Sequence, residues 1–231
     1  MLRKIESQKM GSSDLGWLKS KFHFSFADYY NPENLGFGVL RVLNDDLVKP
    51  QTGFDTHGHR DMEIISYVID GELSHADSMD NQRALTRGHV QYMSAGTGIY
   101  HSEHNYGAKI TRFLQIWIIP DKKGYSPNYG DYRFEWESRK NKWLYMVSSA
   151  QGSAPVKINQ DVNISAIQLE ENNEIDYAVQ KGRQAYLVQI EGRSKINDIL
   201  LNERDAIEIV EENIRIKSEK LSHCIIIEMK K

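Results

Sequence analysis

Short runs of β-branched and aromatic residues, mostly alternating in polarity and closed off by turn signals, constrain this chain more than any other feature. Residues 36–43 (GFGVLRVL), 62–69 (MEIISYVI), 90–93 and 112–119 (RFLQIWII) are of this kind. Asn31-Pro32, Asn44-Asp45-Asp46, Asp70-Gly71 and Asp80-Asn81 read as the turns that bound them. Many short strands at such spacing predict an all-β protein, a sandwich or barrel. No long segment keeps a helical period, and only residues 15–20 read as a helical turn.

The polar stretch 122–141, with Gly124, Pro127 and Gly130, reads as a long surface connection. Beyond it the strand pattern resumes at 143–148, 162–169, 185–190, 206–210 and 224–228. Two domains are therefore expected, residues 1–135 and 136–231. A faint internal repeat agrees with two copies of one unit. Val68-Ile69-Asp70-Gly71 leads through a polar hairpin to Leu85-Thr86-Arg87-Gly88, and Gln189-Ile190-Glu191-Gly192 leads likewise to Leu201-Asn202-Glu203-Arg204.

Composition excludes several partners. Lys plus Arg total 29 against 32 for Asp plus Glu, a net charge of -3 with no basic run, so no nucleic acid is expected. No stretch of about 18 apolar residues exists, so no membrane partner is expected either. The first ten residues are polar, and the one cysteine, Cys224, cannot close an intrachain disulfide. A cytoplasmic location is the expectation.

Seven of the eight histidines precede position 105, and only His223 follows the expected boundary. His57 and His59 are two residues apart, so on a strand both imidazoles project from one face. His101 and Glu103 repeat that spacing. Three imidazole nitrogens and a carboxylate oxygen make a mixed site suited to Fe(II), Mn(II), Ni(II), Cu(II) or Zn(II). Glu63 shares the strand parity of His57 and His59, and spacing alone does not choose between Glu63 and Glu103 as the carboxylate. His75 reads as part of a hairpin turn with Asp77 and Ser78, and His89 as structural or exposed. His104 points away from His101 and Glu103. Ser94 to Gly98 (SAGTG) lacks the Lys-Ser/Thr ending of a phosphate loop, and Cys224, in the apolar run CIII, reads as core.

These motifs resemble two known patterns. Gly53-x3-His57-x-His59-x3-Glu63-x7-Gly71 resembles the first cupin motif, with a shorter gap after its first Gly. Gly88-x12-His101-x3-Asn105 resembles the second, with Ser94 at the usual Pro position and one extra residue before His101. The segments 23–32 (HFSFADYYNP), 57–63 (HGHRDME) and 91–96 (QYMSAG) leading to His101-Ser102-Glu103 are similar to the signatures of pirins. Pirins usually carry Pro between the two histidines and Gly after the Arg, where this chain has Gly58 and Asp61.

The resemblance covers residues 15–120 strongly and implies a bicupin, two stacked β-sandwich barrels of jelly-roll type, with one metal in the N-terminal barrel. It implies His57, His59, His101 and Glu103 as ligands and Glu63 as a residue behind them, with a metal-free C-terminal barrel. It further implies a metal-dependent quercetin 2,3-dioxygenase, using one divalent metal, foremost Fe(II). Such an enzyme opens a flavonol ring with molecular oxygen and releases carbon monoxide, and Glu103 would take the 3-hydroxyl proton. Phe22, Phe24, Phe26, Phe37 and Met93 are candidates to hold the flat substrate. The rival reading is a non-enzymatic metal-binding regulator acting through protein partners. A different small-molecule enzyme on the same scaffold is the third, because fold does not dictate function.

Overall fold

The computed structural model describes residues 1–231 and contains no α-helix, only strands and two 3-10 turns at Ser7–Lys9 and Trp136–Arg139. The chain opens with β1 (Leu2–Ile5), β2 (Gly11–Asp14), β3 (Leu18–Phe22), β4 (Leu40–Val48), β5 (Thr52–His59) and β6 (Glu63–Asp70). It continues with β7 (Glu72–Asp77), β8 (Gln82–Thr86), β9 (His89–Ser94), β10 (Ile99–Asn105), β11 (Thr111–Ile118) and β12 (Asn128–Arg133). Next come β13 (Leu144–Ser149), β14 (Val156–Ile158), β15 (Val162–Leu169), β16 (Glu174–Ala178) and β17 (Arg183–Glu191). The last are β18 (Ser194–Ile196), β19 (Ile199–Leu201), β20 (Ala206–Val210), β21 (Asn213–Ser218) and β22 (Ser222–Lys230).

The strands form two compact units. One comprises residues 11–134 with 156–160, the other residues 1–10, 135–155 and 161–231. In the first, a seven-stranded sheet ordered β12-β9-β6-β11-β4-β3-β2 faces a four-stranded sheet ordered β5-β10-β7-β8. Leu18, Val48, Val68 and Phe113 from the larger sheet pack with Leu73 and Leu85 from the smaller, which closes one end of the interior with apolar groups.

The second unit repeats this plan. Its sheets run β1-β20-β17-β22-β15-β13 and β16-β21-β18-β19, so β4 to β11 map in order onto β15 to β22. The Gly71 and Gly192 turns correspond, and both glycines sit at φ +79. Side-chain-bearing residues rarely adopt that conformation. The outer edge of the larger sheet is filled differently in the two units. β12 pairs with β9 in the first, whereas the chain's first strand pairs with β20 in the second.

Three local expectations fail for identifiable reasons. Residues 15–20 form no helical turn but the end of the β2–β3 hairpin, where Gly16 at φ +83 and the Leu15 N–H bonded to the Leu18 carbonyl (2.9 Å) close a tight turn. Asn44-Asp45-Asp46 is no turn and lies inside β4. There Asp45 accepts both arms of the Arg112 guanidinium (2.9 and 2.7 Å), which allows the strand to run through. The stretch 122–141 is not wholly a connection, since β12 pairs along its whole length with β9.

Two consequences are measurable. A Cβ at Gly71 would lie 2.8–2.9 Å from Thr111 Oγ1 and the Ile110 carbonyl oxygen, and one at Gly192 would lie 2.0 Å from the Leu221 oxygen. Gly71→Ala should cost about 1–3 kcal/mol and Gly192→Ala at least as much, read as lowered urea midpoints. His23 is buried, and burial pushes its pKa down to about 4 from the usual 6.5, against the pull of Asp45. The unfolded chain therefore takes up this proton at higher pH than the fold does. The stability concerned is complete above about pH 6.5 and declines as pH falls toward 4, by about 2 kcal/mol at pH 5. Because His59, His101 and Asp46 also titrate away from their ordinary values, the His23 share is read as a difference. Between pH 7 and pH 5 the urea-derived stability of His23→Gln should fall by about 2 kcal/mol less than that of wild type.

Candidate metal centre

The pairing of β5 with β10 gathers the histidines. His101 lies opposite His57 and Ile99 opposite His59, but Glu103 lies opposite Phe54, so three residue steps on β5 answer two on β10. The extra residue is a β-bulge, which bends its strand and re-aims the side chains beside it. Within the bulge His57 Nδ1 meets the Asp55 carbonyl oxygen at 2.8 Å. With its proton held there, Nε2 keeps a free lone pair.

The three rings close on one another. Centroids are 4.8 Å apart for His57 and His59, 4.5 Å for His57 and His101, and 4.9 Å for His59 and His101. Their candidate ligand atoms all lie within 4.8 Å of one another. Glu103 is buried at the neighbouring position, and both of its oxygens are held. Ser66 Oγ donates to Oε1 at 2.9 Å, and Gln115 Nε2 donates to Oε2 at 2.7 Å. Ser66 stands on β6 and Gln115 on β11, so the larger sheet aims a carboxylate that the smaller sheet carries.

The donor set fits a divalent transition metal. Burial, reinforced by the neighbouring imidazoles, pushes His59 down to about 4 and His101 to about 3. Both are thus neutral at pH 7, the form that binds metals. His101 is 1% exposed, and neither of its ring nitrogens has a hydrogen-bond partner. A buried polar atom without a partner is costly, and a metal–nitrogen bond would satisfy one of the two. With no thiolate nearby, the mixed nitrogen and oxygen set matches divalent transition metals.

A cavity of about 450 Å³ adjoins the histidines, within the range of small-molecule sites. Its walls include Trp17, Phe22, Phe26, Phe54 and Trp117, and His57, His59 and Glu103 line it too. The aromatic rings brace each other edge to face, Trp17 on Phe54 at 5.2 Å and Phe26 on Trp117 at 5.5 Å. Trp117 also stands edge-on to His59 at 4.8 Å. Asn44, Asp46 and Gln115 supply polar groups to the same cavity. Burial, with the charges of Asp45 and Glu103, pushes the Asp46 carboxyl up to about 7 against the effect of its Ser20 hydrogen bond.

The remaining candidates fall elsewhere. Glu63 accepts hydrogen bonds from Ser94 Oγ (2.7 Å) and the Asn159 N–H (3.0 Å), outside the histidine cluster. His104 stacks on Tyr106 at 5.4 Å, and His89 Nδ1 accepts the Thr86 N–H at 2.7 Å. Cys224 is buried, with its thiol pushed up to about 12. Of the five expected substrate-holding residues, Phe22 and Phe26 line the cavity and Phe24, Phe37 and Met93 do not. Met93 packs instead with Ile64, Ala95 and Ile99.

His75 is not in a turn. It lies buried in β7 opposite Glu103, its ring 5.4 Å from that of His101 and stacked on Tyr129 at 4.8 Å. The turn begins only at Asp77, which accepts the Met79 N–H at 2.8 Å. Sequence reading also missed Ser66, Gln115 and Asp46. Ser66 and Gln115 are each a polar residue at an inward position of an apolar strand, and Asp46 was masked by the polar run in which it stands. That parity is the signal that would have found Ser66 and Gln115. In the second unit, the strands corresponding to β5 and β10 turn Ile175, Tyr177, Ile214 and Ile216 into the core.

The sequence model of the family described as Pirin matches residues 4–118, and that of the Quercetinase C-terminal cupin domain matches residues 145–229. The chain is similar to a pirin-like protein of Caulobacter vibrioides, 41% identical over 93% of each chain. It is also similar to the quercetin 2,3-dioxygenase of Escherichia coli K12, 36% identical over 92% of this chain and 91% of that one. Among solved structures, the nickel(II) complex of the bacterial pirin YhhW from Escherichia coli superposes with a TM-score of 0.93 at 33% identity, covering 100% of this chain and 99% of that one.

Proposed function

The chain belongs to the pirin family, and from that premise we propose that it is a metal-dependent dioxygenase opening the heterocyclic ring of a flavonol such as quercetin. The observation that carries this reading is the three-imidazole cluster with its oriented carboxylate, bordering a cavity walled by aromatic rings. The quercetin 2,3-dioxygenase among its relatives supports the same reaction.

In this reading His57, His59, His101 and Glu103 hold one divalent metal. Bound there, such a metal supplies Lewis acidity that lowers the pKa of the flavonol 3-hydroxyl. Fe(II) is our assignment, and the nickel(II) complex of the YhhW neighbour keeps Ni(II) beside it as a rival.

The chain's own residues do the rest. Glu103 accepts the 3-hydroxyl proton, a role that typically contributes about 100- to 10,000-fold. Ser66 and Gln115 keep its two oxygens in place while it does so. Asp55 holds the Nδ1 proton of His57 and fixes which nitrogen faces the cavity. Trp17, Phe22, Phe26, Phe54 and Trp117 sandwich the flat rings and exclude water from the electron-rich flavonolate. Molecular oxygen then reacts with that flavonolate, and the ring carbon lost leaves as carbon monoxide with a depside as the second product.

Two measurements test the reading. His101→Ala and Glu103→Ala should each reduce bound metal well below wild type by elemental analysis, and unchanged content in both would remove the ligand assignment. Oxygen uptake by protein loaded with Fe(II), Mn(II) or Ni(II) should match quercetin loss and vanish in His57→Ala, with free metal as the blank. Uptake no greater than the blank despite full metal occupancy would turn the reading toward a metal-binding regulator.

A further inference from the structure

The cavity beside the histidines contains polar groups that the ligand set does not use. Asn44 and Asp46 lie two residues apart on β4, and both line this cavity although each side chain is only 3% exposed. Asn44 Oδ1 and Asp46 Oδ1 are buried acceptors with no hydrogen-bond partner in the protein. The neighbouring strand β11 holds the matching defect, since the Trp117 indole N–H is a buried donor without an acceptor and also lines the cavity. The protein therefore presents two unmet acceptors and one unmet donor in a cavity rich in aromatic rings.

A phenolic hydroxyl is the group that answers both kinds of defect, because its O–H donates and its oxygen accepts. Carboxyl and carboxamide groups turn broadly about their terminal torsions, so either oxygen can swing toward a bound ring. A protonated Asp46 still offers a carbonyl oxygen, so the acceptor persists on either side of its titration.

We infer that Asn44 and Asp46 are specificity-determining residues, which select flavonols carrying phenolic hydroxyls beyond the 3-hydroxyl and ring-carbonyl pair. The inference rests on the ring-opening reading for the substrate's general class. A site built to bond a hydroxyl rejects the analogue that lacks it more strongly than an apolar pocket rejects an added one.

The test uses the metal-loaded chain and two probes, quercetin and the bare 3-hydroxyflavone ring system, which keeps the metal-facing oxygens and no other hydroxyl. Dissociation constants come from quenching of tryptophan fluorescence, since Trp17 and Trp117 line the cavity, and kcat/KM from oxygen uptake. Wild type should bind quercetin at least tenfold more tightly than 3-hydroxyflavone. Asn44→Leu and Asp46→Leu should bring that ratio below about threefold, chiefly by weakening quercetin. Asn44→Asp and Asp46→Asn keep an acceptor oxygen at the same place and should preserve the ratio, which separates recognition from damage to the fold.

Equal binding of the two probes by wild type would overturn the inference, as would a ratio unchanged in both leucine variants. Selective binding without oxygen uptake would support the selectivity and overturn the dioxygenase reading. Equal turnover of both probes would do the reverse.

Discussion

The register between β5 and β10 is the constraint on which the site depends. Side chains alternate faces along a strand, so a slip of one residue would send His57, His59 or their partners to the outer surface. Two things pin the register here. The bulge between His101 and Glu103 admits one surplus residue on β5 and fixes where it sits. Glu103 is in turn clasped by Ser66 and Gln115 from the opposite sheet, so the two layers of the sandwich lock one another. The hydrogen bonds that orient the Glu103 carboxylate are thus the same ones that hold the sheets in phase.

Much of this was legible in the chain. The alternating runs reported an all-β fold, and the i, i+2 spacing of His57 with His59 and of His101 with Glu103 reported which side chains share a face. Spacing did not separate Glu63 from Glu103, because both have inward parity in a strand model. The distinction lies in which strands become neighbours, a long-range pairing that no local pattern encodes. Asn44-Asp45-Asp46 misled for a related reason. Three short polar residues are a strong turn signal, yet Arg112 neutralises the middle one, and the outer two face an interior with room for polar atoms. His75 was hidden by the same competition, since the turn residues Asp77 and Ser78 follow it immediately.

The two units show how far fold and chemistry separate. Their strands follow one order, and both use a glycine at φ +79 in the corresponding turn. Their interiors are opposites. In the first unit Asn44, Gln115, Ser66 and Gln91 form a polar row across four adjacent strands beneath Glu103. Burying such groups is expensive unless something bonds them, and the row brings Glu103 its two donors. In the second, Ile175, Ile214 and Ile216 fill the equivalent space in a cluster with Ile207, Ile209 and Ile226. One half keeps a polar row in its interior, and the other is packed mainly with aliphatic side chains around one buried polar pair, Ser194 donating to Gln189.

The first strand has a consequence in time as well as in space. β1 finds its partner in β20, where Leu2 faces Ile209. A ribosome makes β1 first and β20 about 200 residues later. At about 5–20 residues per second, β1 waits roughly 10–40 s before its partner has been made. Residues 11–134 await only the short segment 156–160 to complete their own unit and need no such delay. During synthesis the polar β1 segment (LRKI), with Arg3 and Lys4 between its two apolar ends, trails unpaired ahead of a half that can already be folding. Its charges keep that waiting strand from recruiting the wrong edge.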